Sequence, residues 1–350
     1  MQRNETEEIA FLRRVLIVGG VVVLALLIWR VRDALLLAFG GVVAAVVLLT
    51  VARPLEARFG LARKWSLTAV GLALGVVLAL IVWLVGGQVR AQVTGLVGQL
   101  SDAVEELQQQ LGTQLPLLPG LGSDGERGSL DSSVLADMLG RVATIGGVVA
   151  NTTTALVVAV VGGFFLAADP ALYRRGAAKL LPRSQQARAD DALAASGQAL
   201  RLWLIAQFIS MVIVGVLVGL GTWALGLPSP LALGLFAGLV EFVPLVGPVI
   251  GSVPALLLAM TDGSATFLWT AVLFLAIQQV ESNLIAPLLE QRLVSLPPAL
   301  LLFAVVAVGL LFGLPGVVLA APITVVAFVL VKKLYVRQTL GERTEVPGED

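Results

Sequence analysis

The chain reads as an all-α polytopic integral membrane protein, and two observations predict that class. Hydrophobic residues make up 58% of it, charged residues only 13%, and the mean hydropathy is +0.96; a soluble domain carries about 25% charged residues. Apolar runs recur at 15–29, 34–52, 66–87, 145–168, 202–227, 230–260, 264–288 and 299–331, and a crossing needs roughly 20 apolar residues. In hydrocarbon such runs satisfy their own backbone as helices. The expected architecture is about six to eight transmembrane helices, two proline-broken or re-entrant segments and a helical hairpin insertion.

Absences narrow the chemistry. With no cysteine and no histidine, disulfides, thiol catalysis, His triads and the commonest metal ligand are gone. No Walker A pattern, H-E-x-x-H or G-x-S-x-G occurs, so ATP hydrolysis and the familiar hydrolase chemistries are not expected. No lysine falls inside an apolar run, which removes a Ser–Lys pair. The chain is therefore expected not to be an enzyme and to need no cofactor or metal. Its zero net charge gives no reason to expect a nucleic-acid partner.

Residues 1–87 are expected to hold the first three transmembrane helices. Arg13 and Arg14 precede the first run, and Arg30 and Arg32 lead straight into the second without a small-residue cleavage pattern, so the first run reads as an uncleaved span. If each run crosses once from a cytoplasmic N-terminus, 17 of the 23 basic residues, including every lysine, fall on the cytoplasmic side. That bias predicts that both termini are cytoplasmic.

Residues 88–144 form the one sizeable polar insertion. Val89, Val93, Leu96, Leu100, Val104, Leu107 and Leu111 recur at near-heptad spacing. A Gly- and Pro-rich loop and a second helix at 130–142 follow. The pattern fits a hairpin lying on its own transmembrane domain and equally an oligomerisation arm; a homo-oligomer is expected. After the fourth helix (145–168), Asp169 and Pro170 have the form of an N-cap and first helical residue. They begin a basic cytoplasmic segment, 169–200, whose cations are expected to sit at the anionic headgroups of membrane lipids.

The chemistry concentrates in the core at 201–334, ahead of a cytoplasmic tail at 335–350. Between Arg201 and Arg292 there is no Lys or Arg, yet Glu241, Asp262, Glu281 and Glu290 lie in that interval. Asp262 beside Gly263 reads as a loop residue, and Glu290 as interfacial. Glu241 and Glu281 sit in apolar context without a local counter-charge. A carboxyl group in that position must be neutral, bind a cation or face water. Glu241 also stands beside a helix break, Pro244, Gly247, Pro248 and Gly251, where freed backbone groups need partners from protein or a water-filled cavity. Gln278, Gln279 and Asn283 place polar groups on two faces near Glu281. The run 299–331 is broken in the same way at Pro315 and Pro322. These residues form the candidate transport pathway. Asn151, Thr152, Thr153, Thr154 and Gln207 are candidates to join it, although such residues more often bond between helices. The motif G-x-x-x-G occurs at 71/75, 215/219, 234/238, 247/251 and 309/313; with 37 glycines, chance predicts roughly four such pairs, so it says only that close packing is permitted.

The stretch LGLPSPLALG (225–234) continuing to EFVPLVGPVIGSVP (241–254) resembles the autoinducer-2 exporter (AI-2E) family of bacterial permeases. So do Gln279, Glu281, Asn283 and Pro287, the closing GLPG (313–316) with Ala321 and Pro322, and FLAAD (165–169). The likeness implies export of a small polar, autoinducer-2-like quorum-sensing solute by alternating access, coupled to a proton or sodium ion. For other members it implies monovalent cation/proton antiport, and a passive channel is a related reading. A membrane scaffold acting through the arm is the alternative of a different class. The family pattern often has His-Pro where this chain has Leu296, Pro297 and Pro298.

Each of the runs 230–260 and 299–331 fits either one bent span or a re-entrant hairpin, the hairpin being favoured. Two hairpins reduce eight crossings to six and leave the C-terminus cytoplasmic.

Overall fold

The computed structural model describes residues 2–60, 62–76, 157–285, 287–288, 296–342 and 344. The polar insertion at 88–144, residues Asn151 to Thr154, Glu290 and Arg292 lie outside the described residues. Every element among those described is helical: α1 (Gln2–Phe59), α2 (63–76), α3 (Val157–Ala168), α4 (Pro170–Ala178), α5 (Arg183–Ala224), α6 (Pro230–Val240), α7 (Gly247–Thr261), α8 (Ser264–Val280) and α9 (Pro298–Leu330). Among them, Trp29–Phe59, Arg183–Ala224, Ser264–Ile285 and Pro298–Arg337 are long and apolar enough to cross a membrane, and α3 with α4 make a fifth candidate if the bent pair is one span. The protein is an all-α multi-pass membrane protein.

The chain forms two compact units. The first comprises residues 1–67, 155–203 and 294–350; the second comprises 68–154 and 204–293.

In the first unit, α1 corrects an expectation. The runs 15–29 and 34–52 are not two crossings joined by a loop, because residues 2–59 form one unbroken helix. Nothing at the junction stops it: Arg30, Val31, Arg32 and Asp33 include no Gly or Pro, and Arg32 stacks over the Trp29 ring at 4.2 Å and pairs with Asp33 at 3.6 Å. Gly41 on α1 lies against Gly163 on α3, where an added Cβ on Gly163 would meet the Ala44 Cβ at 2.7 Å. The Asp169 cap forms as expected, Oδ1 accepting from the Leu172 N–H at 3.1 Å.

Prolines here start helices more often than they break them. Pro170, Pro230 and Pro298 are the first residues of α4, α6 and α9, and Pro248 is the second of α7, positions where the missing N–H costs nothing. The reversals fall on residues with positive φ instead. In α9, Gly313 (φ 66°, ψ −149°) interrupts the helix. Beyond it, an added Cβ on Gly316 would overlap the Val308 carbonyl oxygen, and Gly309 faces the Val317 side chain. Residues eight apart in a straight helix are separated by about 12 Å, so α9 folds back on itself at Gly313. Its second half ends in a π-helical turn, Val331–Arg337, anchored by buried Lys333, whose Nζ lies 2.8 Å from Asp191 Oδ2 on α5.

The second unit holds a second hairpin. Gly247 packs on Val240 and Gly251 on Ala237, while Leu233 shares a buried cluster with Ala255 and Ala259. Each step back along α6 is matched by a step forward along α7, so the two helices run antiparallel. They have 11 and 15 residues, about 16 and 22 Å against a hydrocarbon core of about 30 Å, so neither spans it alone. Gly234 and Gly238 on α6 press against Gly215 and Gly219 on α5, so closely that an added Cβ on Gly234 would overlap the Gly215 carbonyl. Val214, Val218, Ala237 and Ile277 close the core between α5, α6 and α8.

Gly234→Val is expected to cost at least about 3 kcal/mol through forced separation of α5 and α6. Gly162→Ala, where nothing lies within 4 Å, should be neutral or stabilising. Thermal unfolding of both variants in detergent checks the contrast.

Candidate functional site

The tip of the α6–α7 hairpin is where backbone geometry, burial and charge converge. Helix α6 ends at Glu241, whose N–H still bonds to the Ala237 carbonyl at 3.0 Å. The next turn cannot continue, because Leu245 adopts φ 70°, a conformation that costs a non-glycine residue on the order of 1–2 kcal/mol. The Glu241 carbonyl would have received an N–H from residue 245 in a longer helix. It is met instead by Gln207 Nε2 of α5, at 2.6 Å. A side chain one helix away thus satisfies the orphan that the break creates.

The Glu241 side chain is buried, with 2% of the residue exposed, and its Oε2 has no hydrogen-bond partner. It opens into a cavity lined by Val214 and Val218 of α5, Ala237 of α6, Gly247, Pro248 and Gly251 of α7, and Phe274, Ile277, Gln278 and Glu281 of α8. The room for the centres of water-sized particles is about 20 Å³, enough for one or two waters or a small cation. Glu281, half-buried, brings a second carboxyl group into interaction with the first. Among the described residues neither acid makes an ion pair.

Glu281 also begins a π-helical turn, Glu281–Ile285. Such a turn shifts the hydrogen-bond register and is frequent at functional sites. Neighbouring side chains supply the carbonyls it disturbs: Ser282 Oγ donates to the Gln278 carbonyl at 2.8 Å, and Asn283 Nδ2 to the Gln279 carbonyl at 3.0 Å.

Of the candidates named from sequence, Glu241, Gly247, Pro248, Gly251, Gln278 and Glu281 come together around the cavity. Pro244 lies in the tip turn without lining it. Gln279 and Asn283 are exposed and bond to each other, Nδ2 to Oε1 at 2.8 Å. Pro315 and Pro322 belong to the first unit, within α9. Gln207 takes part as a backbone partner and not as a wall. Sequence reasoning passed over the apolar walls Val214, Val218 and Phe274, and it discounted the glycine pairs 215/219 and 234/238, which bring α5 and α6 into contact.

Among the described residues no basic group answers the two carboxyls, no metal-ligand cluster occurs, and the surrounding fold is multi-pass and helical. Such a fold and site define a helical membrane protein with a buried acidic site. Comparison with known proteins agrees: the AI-2E family transporter pattern matches residues 17–335, and the chain belongs to that family. Relatives include "Putative transport protein YrrI" of Bacillus subtilis, 34% identical over 167 residues, 48% of this chain and 47% of YrrI. "Putative transport protein YueF" of the same organism is 26% identical over 68% of each chain. "Putative permease PerM" of Escherichia coli is 24% identical over 75% of this chain and 77% of its own. The match to YrrI spans about half the length of that relative.

Gln207→Leu keeps the shape of the site but strips the donor from the Glu241 carbonyl. It is expected to lower stability by about 1–3 kcal/mol, and Gln207→Glu, which restores a donor only when protonated, should recover part of the loss at low pH. Thermal unfolding across pH measures both.

Proposed function

We propose that this chain is a secondary transporter of the bacterial cytoplasmic membrane, with its pathway at the tip of the α6–α7 hairpin. It would move a small polar, autoinducer-2-like solute by alternating access, coupled to a proton or sodium ion. The observation that carries this reading is the pair of carboxyl groups around one water-sized cavity, one of them buried and neither paired with a base among the described residues. A structural acid in hydrocarbon is ordinarily paired, whereas an exchangeable site needs carboxyls that are free to take and release a cation. The broken hairpin supplies the irregular backbone that transporters place beside such sites.

The cavity is too small for a ring-shaped solute. That favours a second reading, monovalent cation/proton antiport, in which the cavity holds the transported ion itself. In the exporter reading, the organic solute enters in a more open state.

One ion pair supports a topology. Lys333 bonds to Asp191, so the end of α9 and the start of α5 lie on the same side. Arg174, Arg175, Lys179, Arg183, Arg188, Lys332 and Arg337 cluster at these ends, which supports a cytoplasmic location for them. In this reading α5 leads outward from there, the α6–α7 hairpin dips in from outside, and α8 returns.

Glu241→Gln is expected to cut flux at least tenfold in proteoliposomes given a panel of small polar solutes with sodium and proton gradients. Its thermal midpoint should stay close to that of the parent chain. Undiminished flux removes Glu241 from the pathway, and loss of folded protein makes it a structural acid instead. For topology, Asp262→Cys should react with an impermeant maleimide from outside and Gln185→Cys only from inside; the absence of native cysteine leaves no background. The reverse pattern overturns the arrangement.

A further inference from the structure

Helix α4 carries a surface that the transport site does not use. It follows α3 after a 90° bend at Asp169 and Pro170. The apolar run that ends in α3 exposes Val157, Val158, Val161 and Phe165, as a lipid-facing helix does. A helix perpendicular to one that runs through the bilayer lies along its surface. On α4, Ala171, Arg174 and Ala178 repeat at helical spacing on the inward side: Ala178 is buried, and Arg174 Nε meets Asp190 Oδ1 at 2.6 Å. The outward side presents Leu172, Tyr173 and, just past the helix, Leu180, which is 89% exposed. Arg175 and Lys179 are also exposed.

The charge balance is one-sided. All three acids of this segment are engaged: Asp169 caps α4, Asp190 pairs with Arg174, and Asp191 pairs with Lys333. Arg175, Lys179, Arg183 and Arg188 are exposed and have no acidic partner among the described residues. Apolar side chains beside unanswered cations, on a helix set along the membrane plane and at the adjoining start of α5, match the boundary between acyl chains and headgroups.

We propose that α4 is an interfacial helix docked on anionic phospholipid headgroups, with Leu172, Tyr173 and Leu180 set into the acyl boundary and the four free cations meeting the phosphates. The partner is the lipid surface, not a soluble anion or an acidic protein, because the cations come with an exposed apolar strip that only a bilayer covers. Each cation near an anionic surface is worth about 1 kcal/mol, roughly fivefold in local association.

The test uses the full chain with Leu180→Cys as its single cysteine, labelled with a polarity-sensitive fluorophore. The protein is placed in nanodiscs of phosphatidylcholine with or without phosphatidylglycerol. The ratio of quenching by a lipid-attached quencher to quenching by a water-borne one should be at least threefold higher with phosphatidylglycerol. That gain should vanish in about 0.5 M salt and in a variant with Arg175, Lys179, Arg183 and Arg188 all changed to Gln. Should the quadruple variant not accumulate, Lys179→Gln alone must show a smaller loss of the same sign. A ratio indifferent to phosphatidylglycerol, a label quenched mainly from water in both discs, or a gain abolished by millimolar inorganic phosphate at constant ionic strength would each overturn the proposal.

Discussion

The second unit depends on one close approach, that of the α5 backbone to the α6 backbone at Gly215 and Gly219 against Gly234 and Gly238. A hairpin of 11 and 15 residues ends inside an apolar layer, so its tip must find hydrogen-bond partners from protein. The partner for the Glu241 carbonyl is Gln207, which sits on α5 two turns before Gly215 and reaches it at 2.6 Å. Side chains larger than hydrogen at Gly234 or Gly238 would move α5 away, and the amide would no longer reach. The carboxyl of Glu241 would lose the same wall, because Val214 and Val218 flank Gly215 on α5 and line its cavity. Packing, backbone satisfaction and the enclosure of the acid are thus one constraint.

The treatment of charge differs within the chain. In the first unit, buried Lys333 is held by Asp191 and Arg174 by Asp190, as expected where charges tie helix ends together. In the second unit, the buried acid Glu241 has no basic partner among the described residues. Leaving a carboxyl without a counter-charge in a low-dielectric site is costly for folding, and the proposed exchange of a cation there would account for keeping one.

Both reversals are made by residues in the left-handed region, Leu245 and Gly313, while the nearby prolines mostly begin helices. Proline therefore marked the correct neighbourhoods through a physical role other than the one first assigned to it. Pro248 presets the first turn of α7 and so helps to fix where that helix starts beside the cavity. Leucine at the αL position of the tip, where glycine would be unstrained, is a conformational cost next to the proposed pathway, as functional turns often carry.

By itself the sequence determined the membrane class, the helical fold and the two broken runs, and it singled out Glu241 and Glu281 as acids in apolar context. Each rests on composition or on a local rule: apolar length, backbone satisfaction, and the missing counter-charge between Arg201 and Arg292. Tertiary structure decided the rest. Whether the breaks bend or reverse depends on contacts such as Gly251 with Ala237 and Gly316 with Val308, which no local window contains. The continuity of α1 through Arg30 and Arg32 was hidden because a charged pair reads as a loop between crossings, although its residues are sound helix formers. The glycine pairs were illegible for a statistical reason: in a glycine-rich chain the motif is common, and only the partner helix distinguishes a packed pair from an idle one. Gln279 and Asn283 looked like part of the pathway by their polarity, but they lie one helical turn apart on the exposed face and bond to each other, and which face of a helix meets its neighbours is decided by packing that composition does not record.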